Sequence, residues 1–115
     1  MKILLIDDDP AVLEVIGLLL ASEGHAVVSA SRGEEGLERL AAGERVDLVL
    51  TDLTMPGVSG WDLARTVRAR WPDVRVGFIT GTPEQVPASS ASVDLVLGKP
   101  VTIEALRQGL ARLGR

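Results

Sequence analysis

Short apolar runs alternate with longer amphipathic stretches along the whole chain. Ile3 to Ile6 is continuously apolar, the mark of a strand covered on both faces. Asp9 and Pro10 form an N-cap and first-turn pair, which predicts a helix to about Glu23, closed by Gly24. Its stripe toward the sheet is Val12, Ile16, Leu19 and Leu20. His25 to Ala30 reads as a second, weaker strand at an edge. Ser31 and Glu34 then stand at capping-box spacing ahead of a helix whose core contacts are Leu37, Leu40 and Ala41, ended by Gly43. Leu48 to Leu50 is the third strand. Trp61 to about Trp71 carries Leu63, Ala64, Val67 and Trp71 on one face and is stopped by Pro72. Val74 to Ile79 and Val93 to Leu97 are the fourth and fifth strands. Thr102 caps a last helix with Ile103, Leu106, Leu110 and Leu113 on its buried stripe. Alternation of this kind with short connections predicts an α/β fold, a doubly wound five-stranded parallel sheet in the flavodoxin-like order 2-1-3-4-5.

Composition narrows the function classes. The chain has 115 residues, the size of one domain spanning 1–115, and 46% of them are hydrophobic but only 3% aromatic. Leu, Val, Ile and Ala must therefore pack the core. A net charge of −4 gives no general attraction to nucleic acid or anionic lipid, so neither is expected as a direct partner. The chain has no cysteine, which rules out disulfides and a thiol nucleophile and fits a reducing cytoplasm. The apolar stretch from Ala11 to Ala21 is broken by Glu14 and Gly17 and falls short of the ~20 residues of a membrane span. His25, the only histidine, lies at the far end of its strand from the acidic residues and is read as structural.

Chemistry concentrates at the strand ends. The third strand ends in Asp52, followed by a loop that Pro56, Gly57 and Gly60 keep from becoming helix. The first ends in Asp7 and Asp8, which the helix cap at Asp9 leaves without structural duty. The fourth ends in Thr80 and Gly81, the fifth in Gly98 and Lys99. In the predicted order these strands are neighbours, so all these side chains share one crevice. Clustered carboxylates disfavour one another's charge unless a cation joins them, and a hard divalent ion, Mg²⁺, suits a few carboxylate oxygens plus waters and phosphate oxygens. Asp52 is then placed as an in-line nucleophile for a phosphoryl group, with Thr80 and the Gly81 N–H close by and Lys99 neutralising its oxygens. Two other readings remain: a small haloacid-dehalogenase-like phosphatase, which also uses a strand-end Asp, a Thr or Ser and a Lys, and a phosphate-independent interaction module. Steady turnover of a phosphate ester distinguishes the first. Partner affinity untouched by Asp52→Ala distinguishes the second.

Taken together, Asp7-Asp8, Asp52 with Met55-Pro56 and Gly60, Thr80-Gly81 and Lys99-Pro100 resemble the receiver domain of two-component response regulators, in order and over the whole chain. The resemblance implies that Asp52 is the phosphoacceptor, with Asp8 the main side-chain Mg²⁺ ligand, Asp7 in support and the Thr54 carbonyl a further ligand. It makes Thr80 the switch hydroxyl, Lys99 the phosphate-sensing cation, the Lys99–Pro100 peptide cis, and Thr54 and Thr82 the residues that tune hydrolysis. It implies a self-phosphorylating acceptor rather than an enzyme, served by a histidine kinase or histidine phosphotransfer protein. We expect a monomer that relays through protein contacts without an effector domain of its own. Three departures stand out. The position of the family's aromatic switch is Val96, the segment between Thr80 and Lys99 is short, and Pro83, Pro87, Ser89, Ser90 and Ser92 predict a short, irregular or missing fourth helix. The pattern is closer to receivers of hybrid kinases or single-domain relays. On the first helix, Leu13, Val15 and Leu18 widen the apolar arc; packing is the expected reason, and a docking surface for the phosphodonor is the functional alternative.

Overall fold

A computed structural model of the protein, described over residues 1–86 and 93–113, contains one parallel sheet in the order β2-β1-β3-β4-β5. The strands are β1 Lys2–Ile6, β2 Ala26–Ala30, β3 Leu48–Asp52, β4 Arg75–Thr80 and β5 Leu95–Gly98. The helices are α1 Pro10–Ser22, α2 Gly33–Ala41, α3 Gly60–Arg70 and α4 Ile103–Leu113. The weakly apolar β2 takes an edge, where one side of its ladder needs no partner strand.

Alternation along each strand feeds two cores. Leu4, Ile6, Val49, Val76 and Phe78 face one way, under Leu40 of α2 and Leu63, Ala64 and Val67 of α3. Ile3, Leu5, Leu48, Leu50, Ile79, Leu95 and Leu97 face the other, under Ile16 and Leu20 of α1 and Leu106, Leu110 and Leu113 of α4. Both faces are apolar, so the strands read as unbroken apolar runs. Gly77 interrupts β4 for lack of room: a Cβ there would lie 2.7 Å from Leu50 Cδ2 and 3.2 Å from Leu95 Cβ.

Most helix ends follow the sequence. The Asp9 carboxylate accepts the Ala11 N–H at 2.9 Å with Pro10 in the first turn, and Thr102 Oγ1 accepts the Ala105 N–H at 3.1 Å. Gly24 and Gly43 turn out of α1 and α2 at φ 87° and 101°, a region costly for other residues. The start of α2 differs from expectation. Arg32, not Ser31, holds the N-cap position, and Glu35 rather than Glu34 reaches back, accepting the Ser31 N–H at 2.9 Å. Gly33 opens the helix against the β3–α3 loop, where a Cβ would lie 3.0 Å from Val58 Cβ. Ala41, expected in the core, is exposed, because Leu37 and Leu40 complete the inward stripe and Ala41 falls beyond its rim. Ser59 caps α3, accepting the Asp62 N–H at 3.2 Å.

On α1, Leu13 is half-buried against the second core, but Val15 and Leu18 are 57% and 65% exposed. The packing explanation therefore fails for those two: Ile16 and Leu20 already occupy the inward face. The solvated arginines of α3 have partners, Arg65 with Asp62, Arg68 with Asp94 at 2.6 Å and Arg70 over the Trp71 ring at 4.4 Å. Beyond β4 a 3-10 turn spans Pro83–Gln85, and the rest of the expected fourth helix, including Pro87, Ser89, Ser90 and Ser92, lies outside the described residues. His25 Nδ1 sits 3.1 Å from the Met1 amino group, at the end of the sheet opposite the acidic residues. Burial and that amino group hold its imidazole below the usual range. Among the described residues no helix is long and apolar enough to cross a membrane.

Candidate functional site

Strand register assembles the site. Ile6 pairs with Thr51, which sets Asp7 level with Asp52. Asp52 pairs with Ile79, and Thr80 with Gly98, so Thr80 and Lys99 follow in line along the same sheet edge. The Lys99 N–H donates to the Thr80 carbonyl at 2.8 Å, joining the tips of β4 and β5. The Lys99–Pro100 peptide is cis.

Lys99 is the hub. Its ammonium lies 3.2 Å from Asp7 Oδ2 and 3.5 Å from Asp52 Oδ2. Asp7 is 1% exposed, and its Oδ1 accepts the Asp9 N–H at 2.9 Å. It therefore does carry structural duty, contrary to the sequence expectation, because the tight turn from β1 into α1 leaves that N–H pointing back at it. Asp52 Oδ1 accepts the Leu53 N–H at 2.9 Å, which aims Oδ2 into the crevice. Burial pushes the Asp52 carboxyl up, Lys99 pulls it back and Asp7 adds to the rise. Burial disfavours the Lys99 ammonium, yet the hydrogen bond and charge of Asp7 with the charge of Asp52 hold its pKa above the usual lysine range.

Asp7, Asp8 and Asp52 each present a carboxylate oxygen within 4.8 Å of the others. Ligands around Mg²⁺ at ~2.1 Å stand ~3 Å apart when adjacent and ~4.2 Å when opposite, so these oxygens need only a small contraction to share one ion. All are hard oxygen donors, and Asp8 and part of Asp52 remain open to the waters such an ion keeps. The set fits Mg²⁺.

Thr80 is buried, with 4% exposure. Its Oγ1 accepts the Thr82 N–H at 3.1 Å and lies 3.3 Å from Thr82 Oγ1. This link was missed from the sequence, although a Thr-x-Thr spacing at a strand end suits a hydroxyl-to-backbone turn. Gly81 is exposed with open space where a Cβ would stand. Thr54, on the exposed β3–α3 loop, lines a cavity of about 290 Å³ with Leu53, Met55, Ser59, Trp61 and Thr82. Val96 is half-buried against the first core, while Trp61 meets Phe78 edge-on at 4.9 Å. On the other side of the site an apolar groove of about 460 Å³ runs from Lys99, Pro100 and Val101 along Ala11, Val12, Val15 and Ile16. Exposed Val15 thus belongs to a groove that begins at the site, and Leu18 lies further along the same helix.

Comparison with known proteins agrees with this geometry. A family model described as response regulator receiver domain matches residues 3–111. The transcriptional regulatory protein GlrR of Escherichia coli is 40% identical over 94% of this chain, which spans 25% of that regulator. The cell cycle transcriptional regulator CtrA of Caulobacter vibrioides is 36% identical over 87% of the chain and 44% of its own length. Among solved structures, response regulator TrrA of Thermotoga maritima in complex with Mg²⁺ and BeF superposes with a TM-score of 0.88 at 30% identity, covering 97% of both chains. TrrA in complex with the histidine kinase ThkA superposes with a TM-score of 0.86 at 29% identity, again over 97% of both. Three carboxylates and a bridging lysine at one parallel sheet edge, in a chain matched almost end to end, place this protein in the response regulator receiver domain family of two-component signalling.

Proposed function

We propose that Asp52 accepts a phosphoryl group from a phosphohistidine and that the chain transmits the change through protein contacts. The observation that carries this is Lys99 standing between Asp7 Oδ2 and Asp52 Oδ2. Asp52 Oδ2 attacks phosphorus in line, an O–P bond forms as the N–P bond breaks, and the imidazole leaves with the electron pair. Lys99 neutralises one phosphoryl oxygen, the Thr80 hydroxyl and the Gly81 N–H offer hydrogen bonds to another, and Leu53 N–H holds Asp52 in aim. Mg²⁺ held by Asp7, Asp8, Asp52 and the Thr54 carbonyl would supply the charge that lets carboxylate and phosphate approach.

The chain is an acceptor with at most intrinsic autophosphatase activity, not a turning-over enzyme. Thr54 and Thr82 carry neither acid nor amide, which supports a slow loss of phosphate; a lifetime of seconds would count against it. The partner is a histidine kinase or phosphotransfer protein in the cytoplasm, its helix lying in the groove from Lys99 to Val15 and on to Leu18, whose apolar exposure has no other explanation in the fold. Net charge −4 supports a protein rather than a nucleic-acid partner, and the chain works as a monomer. Intact mass after incubation with acetyl phosphate tests the reading. A Mg²⁺-dependent phosphoryl adduct that disappears in Asp52→Ala is expected. A native chain that forms no adduct with acetyl phosphate or a phosphohistidine protein overturns it.

A further inference from the structure

The Thr80 hydroxyl is both the group expected to meet the phosphoryl oxygens and, among the described residues, one of three buried polar side chains, with Asp7 and Thr51. A buried hydroxyl proton needs an acceptor. Among the described residues the acceptor within reach is Thr82 Oγ1 at 3.3 Å. Thr82 is exposed, so its own proton can go to water and its oxygen is left to accept. The Thr82 N–H meanwhile donates back to Thr80 Oγ1 at 3.1 Å. Two contacts from one residue thus hold Thr80 Oγ1, and with Thr82 Oγ1 as the acceptor the Thr80 proton is engaged before any phosphoryl group arrives.

We infer that Thr82 is a positioning residue that latches Thr80 in the resting state, so that phosphorylation must break the Thr80–Thr82 hydroxyl contact to recruit the Thr80 proton. The inference rests on the phosphoacceptor reading and deepens it. A phosphoryl oxygen is the stronger acceptor, since charge-assisted hydrogen bonds are roughly twice as strong as neutral ones, so the exchange runs forward. The latch nevertheless sets part of its threshold. The coupling acts on the switch group itself and needs no ring at Val96.

Removing the Thr82 hydroxyl leaves the buried Thr80 proton unpaired at rest but not after phosphorylation, so the phosphorylated form should gain. The long 3.3 Å contact places the effect at the low end for a hydrogen bond, a gain of about two- to fivefold in affinity. The experiment is a beryllofluoride titration with Mg²⁺ followed by fluorine NMR on the native chain, Thr82→Val, Thr82→Ser, Thr80→Ala and the Thr80→Ala/Thr82→Val double variant. Expected are tighter binding in Thr82→Val, native affinity in Thr82→Ser, which keeps the hydroxyl, and no effect of Thr82→Val once Thr80 is alanine. Unchanged or weaker binding in Thr82→Val, equal tightening in Thr82→Ser, or an equal gain in the Thr80→Ala background overturns the latch. If the native chain binds no beryllofluoride, the phosphoacceptor reading and the latch fall together; if it binds and only the variant pattern fails, the latch alone falls.

Discussion

Gly60→Ala places a methyl group against the backbone that carries Asp52. Gly60 opens α3, its N–H donating to the Leu53 carbonyl at 2.9 Å. A Cβ built on it lies 2.5 Å from the Asp52 carbonyl oxygen and 2.8 Å from Leu53 Cα. Carbon–oxygen contacts settle near ~3.3 Å, so α3 or the tip of β3 must move by about 0.8 Å. Neither obstacle is a side chain that can rotate away. Overpacking of this kind costs about 1–3 kcal/mol, and the helix preference of alanine, at most ~1 kcal/mol and smaller in a first turn, offsets little of it. A net loss of roughly 1–2 kcal/mol corresponds to a fall of about 4–8 °C in Tm for a chain of this length. Gly17→Ala is the control: it lies inside α1 with nothing within 4 Å of its Cβ position, and should gain about 0.5–1 kcal/mol. Urea unfolding at unchanged m-value reads both. The same displacement moves Asp52 relative to Lys99, so Gly60→Ala should also phosphorylate more slowly with acetyl phosphate, while Gly17→Ala keeps the native rate. A Gly60→Ala chain as stable as the native one would refute the steric argument. A destabilised Gly17→Ala would refute the claim that space decides the sign.

Other expectations follow from the charges and the exposed helix. Lys99→Met removes the cation between Asp7 and Asp52, so Mg²⁺ should bind more tightly while phosphorylation slows by roughly a hundredfold, as when a charge-stabilising group is lost; Trp fluorescence and intact mass read the two. Asp52→Asn should raise stability at neutral pH. Burial lifts the folded carboxyl above its ordinary value, so the folded state binds more protons through that window and ionised Asp52 weakens the fold as pH rises. The advantage of the Asn variant should accordingly vanish below the ordinary carboxylate range in a pH series of urea melts, and an advantage that persists there contradicts the sign. Leu18→Glu changes an exposed side chain and should leave stability within ~0.5 kcal/mol, yet slow transfer from a phosphohistidine protein without affecting reaction with acetyl phosphate. Equal rates with both donors would remove α1 from the docking surface.

How much of this was legible in the sequence depends on whether one local signal settled each feature. Continuous apolar runs such as Ile3 to Ile6 can be satisfied only by a sheet covered on both faces, and once β1 and β3 are central, register alone carries Asp7 to the level of Asp52. Pro10 and Gly24 fixed the ends of α1 because each meets a backbone requirement within its own turn. The capping box at Ser31 misled because Glu34 and Glu35 both follow it at nearly the same reach, and spacing alone does not say which carboxylate accepts the Ser31 N–H. The same limit applied to α1, whose apolar residues outnumber its inward positions. Composition shows the excess but not which of Val15 and Leu18 the sheet leaves uncovered.

The site shows the same division one level down. Residue types and strand ends were enough to gather Asp7, Asp8, Asp52, Thr80 and Lys99, because the strand order brings them to one edge whatever their rotamers. The roles within the cluster needed geometry. Asp7 looked free of structural duty because Asp9 supplied the helix cap, and only the turn between them shows Asp7 occupied on both oxygens, by the Asp9 N–H and by Lys99. Thr82 was read only as a residue that tunes hydrolysis, because its two contacts with Thr80 Oγ1 appear only in the structure. Where a function depends on which group is already hydrogen-bonded before the substrate arrives, the resting partner matters as much as the reactive residue. In this chain those resting partners are Asp9 for Asp7, Leu53 for Asp52 and Thr82 for Thr80, each within two positions of the residue it holds. Short-range contacts of that kind let one sheet edge hold several polar side chains in fixed aim.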